Sequence, residues 1–415
     1  MSILEELGCK KTWQEFLEHR LKKSRLSKKE ESCFKNFIEN ELYKPVTDNI
    51  LDDNYNFSIP EKRFLNKHGR SKKRVVYTFS HPENMTLKLM AFLLYRYDDE
   101  LPQNCYSFRK NYGAKKAINA ILKEKDIEKK FSCKLDIRDY FNSIDTELLL
   151  PILCRLLSGT AACGGNARTD QSDIPLYNFF EKLLTADRAV FNGEIITEKR
   201  GAMAGIPISG FLANIYLSEM DFYFQNTGIP YARYSDDIIF FADNREKLDE
   251  HFETVKNFLE KYHLEINNDK VKITEPFEKW DYLGIMYNKG SIGLSETTLK
   301  KIKGKIRRKA RSIYRWKLRK KADDARAMRV FARVMNKKIF GKGAEDEFTW
   351  TRWFFPLITS DNDLKTIDAH VQEYMRYVRT GRFRKSNYRT SYNDLKNCGY
   401  ISLVNSFYKL KSGQR

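Results

Sequence analysis

Residues Tyr231 to Phe241 read Tyr-Ala-Arg-Tyr-Ser-Asp-Asp-Ile-Ile-Phe-Phe, which sets the adjacent carboxylates Asp236 and Asp237 between two stretches of strand-forming residues. Two ionised neighbours at the end of a buried sheet repel each other, and the pair is costly unless a divalent cation neutralises it. Asp136 also ends an apolar strand-like run, in Lys134 to Ile144. If the two strands lie side by side, three carboxylates share one site. Such a set could hold two Mg²⁺ ions roughly 4 Å apart, one activating a 3′-hydroxyl and both stabilising in-line displacement of pyrophosphate. The alternative is a solvent-exposed hairpin turn for Asp236-Asp237 and a helix N-cap for Asp136.

The elements that must position these acids follow from periodicity. Residues 11–43 carry Trp13, Phe16, Leu17, Leu21, Leu26, Phe34, Phe37, Ile38 and Leu42 among charges, a spacing that predicts one or two amphipathic helices. Lys67 to Phe79 reads as a basic turn leading into a strand, with Arg74 beside it. Helical patterns follow through Leu87–Leu93 and after Gly113, and these segments are expected to flank a cleft. The stretch Ser158 to Asp173 is rich in Gly, Ser, Asn and Asp and reads as an exposed loop. Gly205 to Leu217 reads as a turn followed by a buried helix, and residues 246–262 as an amphipathic helix. Leu264-Glu-Ile-Asn and Val271-Lys-Ile resume strand alternation. The mixture predicts an α+β fold instead of a doubly wound sheet.

With 415 residues and 41% hydrophobic content, the chain can build two or three packed domains. Lysine and arginine exceed acids by 75 − 55 = 20, so the molecule attracts polyanions, and nucleic acid is the expected partner. The chain shows no apolar run of roughly 18 residues and no signal-peptide pattern. A soluble, intracellular protein with no membrane partner is therefore expected. The cysteines Cys9, Cys33, Cys105, Cys133, Cys154, Cys163 and Cys398 show no C-x-x-C pair and no histidine at zinc spacing, and read as reduced core thiols.

Several of these segments together resemble the reverse transcriptases, in particular the bacterial lineage of group II intron proteins, retrons and defence-associated enzymes. Asp136-Ile-Arg-Asp-Tyr-Phe-Asn-Ser-Ile144 is similar to the family's first catalytic aspartate segment, and Tyr234-Ser-Asp-Asp237 to its Y-x-D-D hairpin. Gly205 to Leu217 resembles its nucleotide-pocket turn and helix, Leu264 to Lys270 the segment carrying its palm lysine, and Tyr282-Leu283-Gly284 its primer grip. The motifs occur in the family's order, between about Lys67 and Ile285.

The resemblance implies a right-hand polymerase copying an RNA template into complementary DNA from deoxynucleoside triphosphates (dNTPs). Its catalytic and metal-holding residues would be Asp136, Asp236 and Asp237, with the Ile137 carbonyl as a further ligand to two Mg²⁺ ions, or Mn²⁺ in their stead. Phe141 stands where the family keeps an aromatic ring that excludes a ribose 2′-hydroxyl; a core phenylalanine is the alternative. Lys73, Arg74 and Arg109 are candidates for the incoming triphosphate or the template backbone, or are plain surface charges. Lys270 could protonate the leaving pyrophosphate, or be an exposed strand lysine. Ala204 and Gly205 stand where many relatives have Gln-Gly, and Ser209-Gly210 where they have Ser-Pro. The first departure removes an amide beside the nucleotide, and the second is expected to loosen the turn.

Beyond these motifs, Lys300 to Lys321 holds 13 basic residues among 22 and no acid, while Ile302, Ile306, Ala310, Ile313 and Trp316 repeat at helical spacing. This predicts a thumb helix that grips nucleic-acid backbone through Lys305, Arg308, Arg311 and Arg315. Arg376 to Arg389 interleaves arginines with aromatics, a pattern suited to folded RNA through Arg382, Arg384 and Arg389, or to a thumb core rimmed by surface charge. Trp350, Trp353, Phe354 and Phe355 read as hydrophobic core.

The implied domains are an N-terminal helical extension (1–66), fingers and the start of the palm (67–133), palm (134–290), and a basic helical thumb with a C-terminal RNA-binding region (291–415). The compact plan and the Tyr106-Ser-Phe-Arg109 segment look most like stand-alone defence-associated reverse transcriptases, which copy a structured non-coding RNA as ribonucleoproteins in the bacterial cytoplasm. A retron-type or diversity-generating enzyme, and a non-catalytic maturase-like RNA scaffold, are the alternatives.

Overall fold

The computed structural model describes residues 1–23, 26–52, 55–66, 73–158, 173–341 and 349–413. The chain divides into two compact units, Met1–Pro276 and Phe277–Arg415. No helix among the described residues is long and apolar enough to cross a membrane. The expected loop over Ser158–Asp173 and Cys163 fall almost wholly outside the described residues, as does the basic turn before Lys73.

The first unit opens with four helices, α1 (Ile3–Gly8), α2 (Lys10–Lys23), α3 (Lys28–Glu39) and α4 (Lys44–Leu51). The periodicity of residues 11–43 predicted α2 and α3. Their apolar faces close on Trp13, which is fully buried, stacks on Tyr43 with ring centroids 4.9 Å apart, and donates its indole N–H to the Leu7 carbonyl at 2.8 Å. Phe16 continues this core onto Phe92, 5.4 Å away, so the extension belongs to the body of the unit.

Strands β1 (Glu61–Asn66) and β2 (Lys73–Thr78) pair antiparallel and lead into α5 (His81–Leu93). Glu83 in the first turn of α5 is 5% exposed. Its carboxylate accepts from the Ser58 N–H (2.7 Å), the Ser80 hydroxyl (2.6 Å), and the hydroxyls of Tyr55 and Ser58. Burial pushes the Glu83 pKa up, but these donors outweigh it and hold the carboxyl below the usual range. A depressed pKa adds stability that is complete above the ordinary glutamate value and is lost as pH falls through the lower folded value. Glu83→Ala is therefore expected to lower unfolding free energy at neutral pH by about 2 kcal/mol, because it removes the shared acceptor of the part-buried donors on Tyr55, Ser58 and Ser80. In denaturant titrations the gap from wild type should close under acid conditions.

After α6 (Ala114–Leu122) come β3 (Phe131–Asp136), the short α7 (Tyr140–Ser143), α8 (Thr146–Leu157) and α9 (Ile174–Thr185). The hairpin β4 (Arg188–Phe191) and β5 (Glu194–Thr197) then joins β1 to complete a sheet of order β2-β1-β4-β5. Helices α10 (Ser209–Tyr216) and α11 (Ser218–Asn226) precede β6 (Tyr231–Tyr234) and β7 (Asp237–Ala242), and α12 (Arg245–Lys261) and β8 (Lys272–Thr274) follow. Every residue of α10 is buried, as an apolar helix without a polar stripe requires. The central sheet is antiparallel, of order β6-β7-β3-β8. Ile238, Ile239, Phe240 and Phe241 are all fully buried, because both faces of β7 are covered. Leu264 to Asn267 does not form the expected strand. It makes one isolated bridge, Ile137 to Ile266, and passes into a 3₁₀ turn at Asn268–Lys270.

The second unit begins with a three-stranded antiparallel sheet, β9 (Trp280–Tyr282), β10 (Ile285–Asn288) and β11 (Ser291–Leu294). Helices α13 (Glu296–Lys320), α14 (Asp324–Phe340), α15 (Trp350–Phe354), α16 (Asn362–Thr380), α17 (Tyr392–Asn397) and α18 (Leu403–Lys411) follow. The boundary between the two compact units thus lies before this sheet. Its last strand is tied to the helices that follow: the Leu294 N–H donates to Asp363 at 2.7 Å and the Thr359 N–H to the Ile292 carbonyl at 2.9 Å. Phe354 and Phe355 are buried as expected, with Trp350 and Trp353 half-buried beside Phe354.

Candidate active site

Strands β3 and β7 pair in a register that sets Asp136 opposite Asp237. Tyr234 pairs with Asp237 across the β6–β7 hairpin, leaving Ser235 and Asp236 as its two turn residues. Ser235 takes a positive φ of 62°, which a two-residue hairpin requires at its first central position. The Ile137 N–H donates to the Asp236 carbonyl at 3.0 Å and ties the turn to the end of β3. Carboxylate oxygens of Asp136, Asp236 and Asp237 consequently lie within 4.8 Å of one another.

The electrostatics of this cluster favour a cation. Burial, then the charges of Asp236 and Asp136, push the Asp237 pKa up to about 6. Asp236 is raised by burial and by Asp136, while Lys270 and Arg74 act in the opposite sense. The donor set is all oxygen and part-buried, which fits a hard divalent ion such as Mg²⁺ or Mn²⁺ and not a soft one. Lys270, at the end of the 3₁₀ turn, places its ammonium 2.5 Å from Asp136 Oδ2. Asn267 fixes the other side of Asp136: its amide N–H donates to the Asp136 carbonyl at 2.8 Å and its side chain to Oδ1 at 3.3 Å.

A buried polar brace beneath the turn holds it in shape. Asp221 of α11 and Arg233 of β6 form an ion pair with both side chains fully buried, 2.5 Å apart. Arg233 also donates to the Asn214 carbonyl at 3.1 Å, and the Tyr231 hydroxyl donates to Asp221 at 2.7 Å. Ser107 completes the brace: its hydroxyl accepts from the Ser235 N–H (2.9 Å) and donates to Asn214 Oδ1 (3.0 Å). The Tyr106 N–H donates to the Arg233 carbonyl at 2.9 Å, so the Tyr-Ser-Phe-Arg segment runs alongside β6.

The remaining sequence candidates divide. Arg74 is brought to the site, its guanidinium 5.7 Å from the Phe141 ring centroid. Lys73 points to the other face of β2 and lies over Phe64 at 5.7 Å. Arg109 is not available to a triphosphate or a template. It is 6% exposed, and its guanidinium donates to the carbonyls of Pro102, Cys105, Asp98 and Leu101. A guanidinium carries five donors and no acceptor, and this one is used to close a chain turn. Ala204 is fixed at both backbone groups, its N–H donating to Asn142 Oδ1 (3.1 Å) and its carbonyl accepting from the Tyr77 N–H (2.8 Å). Gly205 has a φ of 107°, and a Cβ there would lie 3.0 Å from Val76 Cβ. Gly205→Ala is expected to lower incorporation at least tenfold in single-turnover kinetics and to lower Tm as well, since an L residue is strained at this φ and its Cβ presses on Val76 and the Tyr77 backbone.

Gly210 does not leave a loose turn. It sits in the first turn of α10, and a Cβ there would come 2.5 Å from Cγ of Phe108. The space that a proline ring would take is filled by a phenyl ring.

In the second unit, Leu283 and Gly284 form a tight turn with φ of 46° and 92°, and Tyr282 is fully buried. The Gly284 carbonyl accepts from the Ser295 N–H (3.0 Å) and the Thr298 hydroxyl (2.9 Å), which fastens the hairpin to the start of α13. Lys305, Arg308, Arg311 and Arg315 are exposed on α13, opposite the buried Ile302, Ile306, Ala310 and Ile313. Arg382, Arg384 and Arg389 are exposed too, whereas Arg376 is buried and donates to the Thr390 carbonyl at 3.1 Å. Helix α14 presents a second cationic face. Arg326, Arg329, Arg333 and Lys337 of α14 line a groove of about 980 Å³ with Trp316, and their helical spacing was the available signal.

Among known proteins, the family profile described as reverse transcriptase (RNA-dependent DNA polymerase) matches residues 65–287. No curated protein matches. Similar solved structures include apo telomerase from Candida tropicalis truncated from the C-terminal domain, 15% identical over 58% of this chain and 55% of that one, with a TM-score of 0.44. Another is telomerase from Candida albicans with a TWJ fragment of telomeric RNA, 12% identical over 91% and 70% of the two chains, with a TM-score of 0.41. Apo telomerase from Candida tropicalis is 13% identical over 86% and 68%, with a TM-score of 0.46. The chain spans about half the length of the first of these. The family match covers more than half of the 415 residues and contains the carboxylate cluster, and the chain therefore belongs to the reverse transcriptase family, the RNA-dependent DNA polymerases.

Proposed function

We propose that this protein copies a dedicated, structured non-coding RNA into complementary DNA as a ribonucleoprotein, in bacterial defence against phage. The observation that carries the synthetic part is the convergence of Asp136, Asp236 and Asp237 within 4.8 Å. The defence role is supported by the resemblance of the Tyr106–Arg109 segment and the basic C-terminal region to stand-alone enzymes of that kind.

Asp136, Asp236 and Asp237, with the Ile137 carbonyl, would hold the metal. Two Mg²⁺ ions bound there supply a lowered pKa at the primer 3′-hydroxyl and neutralise charge on the transferring phosphoryl group. The chain's own side chains do the rest. Arg74 orients the triphosphate by charge and fork geometry. Phe141 excludes a ribose 2′-hydroxyl, with Ala204 and Gly205 lining the same pocket. Lys270 gives up its contact with Asp136 and delivers a proton to the departing pyrophosphate. Tyr282, Leu283 and Gly284 serve as the primer grip.

The cations Lys305, Arg308, Arg311 and Arg315 bind duplex backbone by releasing counterions. Replacing all four with glutamine is expected to flatten the dependence of log affinity on log salt by about 3 to 4, measured by filter binding with an RNA–DNA duplex. Arg382, Arg384 and Arg389 contact the folded RNA.

The test is sequencing of the nucleic acid that copurifies with wild-type protein and with Asp236→Ala. One dominant structured RNA in both, with complementary DNA in the wild type alone, is the expected result. A mixture of unrelated cellular RNAs would overturn the dedicated template.

A further inference from the structure

Phe108 is a half-exposed aromatic residue in a backbone conformation that a bulky residue adopts only under constraint. Its φ is 53° and its relative exposure 49%. Both neighbours are locked: Ser107 by hydrogen bonds to Asn214 and Ser235, Arg109 by backbone carbonyls. The ring is thereby held against the bare backbone of Gly210, where even a methyl group would come 2.5 Å from it. The same ring meets Phe141 edge to face, with centroids 5.9 Å apart and an interplanar angle of 76°. Arg74 lies 5.7 Å from the same Phe141 ring.

We infer that Phe108 is a positioning residue for sugar selection: its ring fixes where Phe141 stands, and so how strictly a ribonucleotide is refused. Gly210 and the strained Phe108 backbone work together, since the glycine opens the space and the strain aims the ring into it. A missing partner would let Phe141 swing away from the sugar position, and the ring would then tolerate an added hydroxyl. This inference rests on the polymerase reading and on Phe141 as the sugar gate.

The experiment measures dissociation constants of dATP and ATP for the protein bound to an RNA template with a dideoxy-terminated primer, so that no turnover is needed. Variants are Phe108→Ala, Phe108→Tyr, Gly210→Ala and Phe141→Ala. Phe108→Ala and Gly210→Ala are expected to reduce the preference for dATP about tenfold, the scale of one lost pocket contact. Phe108→Tyr should retain it, and dATP affinity itself should change little. Gly210→Ala supplies the result if Phe108→Ala fails to fold. A preference lowered by Phe141→Ala but untouched by the Phe108 and Gly210 variants would overturn the inference. A preference that survives Phe141→Ala would overturn the gate and this inference together. Wild-type protein that discriminates in binding yet extends no free primer would overturn only the polymerase reading.

Discussion

Asp236→Asn and Asp237→Asn are each expected to lower RNA-templated nucleotide incorporation by on the order of a thousandfold or more, because several kcal/mol of transition-state charge stabilisation is lost at about 1.4 kcal/mol per decade. RNA affinity should be unchanged, since the exposed cations of α13, α14 and the Arg382–Arg389 segment are untouched. Metal-free Tm should hold or rise. Three carboxylates within 4.8 Å repel one another, and removing one charge relieves that repulsion. A fall in both incorporation and Tm would mean that the acids hold the fold together instead of an ion.

The second large effect concerns the buried brace. Asp221→Ala and Arg233→Ala are each expected to cost 3 to 5 kcal/mol of stability, roughly, because each leaves a fully buried charge without its partner. Denaturant titration reads the loss directly. The pair replacement Asp221→Leu with Arg233→Met should be milder than either single change, since it removes both charges and keeps apolar volume. Equal and additive losses would show that the two side chains do not act as a unit. The turn carrying Asp236 rests on this brace through Ser107 and Ser235, so the single variants should also lose incorporation under conditions where they remain folded.

The acids were legible because their chemistry is local: a charged pair amid strand formers marks its own cost. Their convergence was not, since the pairing of Asp136 with Asp237 is set by β3–β7 register. Arg233 sits within a strand-forming stretch and gives no sign of an acid twelve residues back on a helix. Ser107 and Asn214 meet across 107 positions. Arg109 looked like a phosphate ligand because composition cannot tell a guanidinium facing solvent from one facing carbonyls.

Gly210 misled in the other direction. The missing proline suggested slackness, whereas Phe108 supplies the packing. The β4–β5 hairpin could have been read from Asn192-Gly193 between β-branched and apolar residues, both at positive φ in the structure. The boundary before β9 was hidden because the sheet's ties run forward, to residues about 70 positions on.

The most direct measurement is extension of a DNA primer on RNA templates of two different defined sequences, with Mg²⁺, purified protein and all four dNTPs, followed by sequencing of the products. Products complementary to each template, abolished by Asp136→Ala, Asp236→Ala or Asp237→Ala, are the predicted result. Products whose sequence ignores the template, or that persist in those variants, would contradict the account.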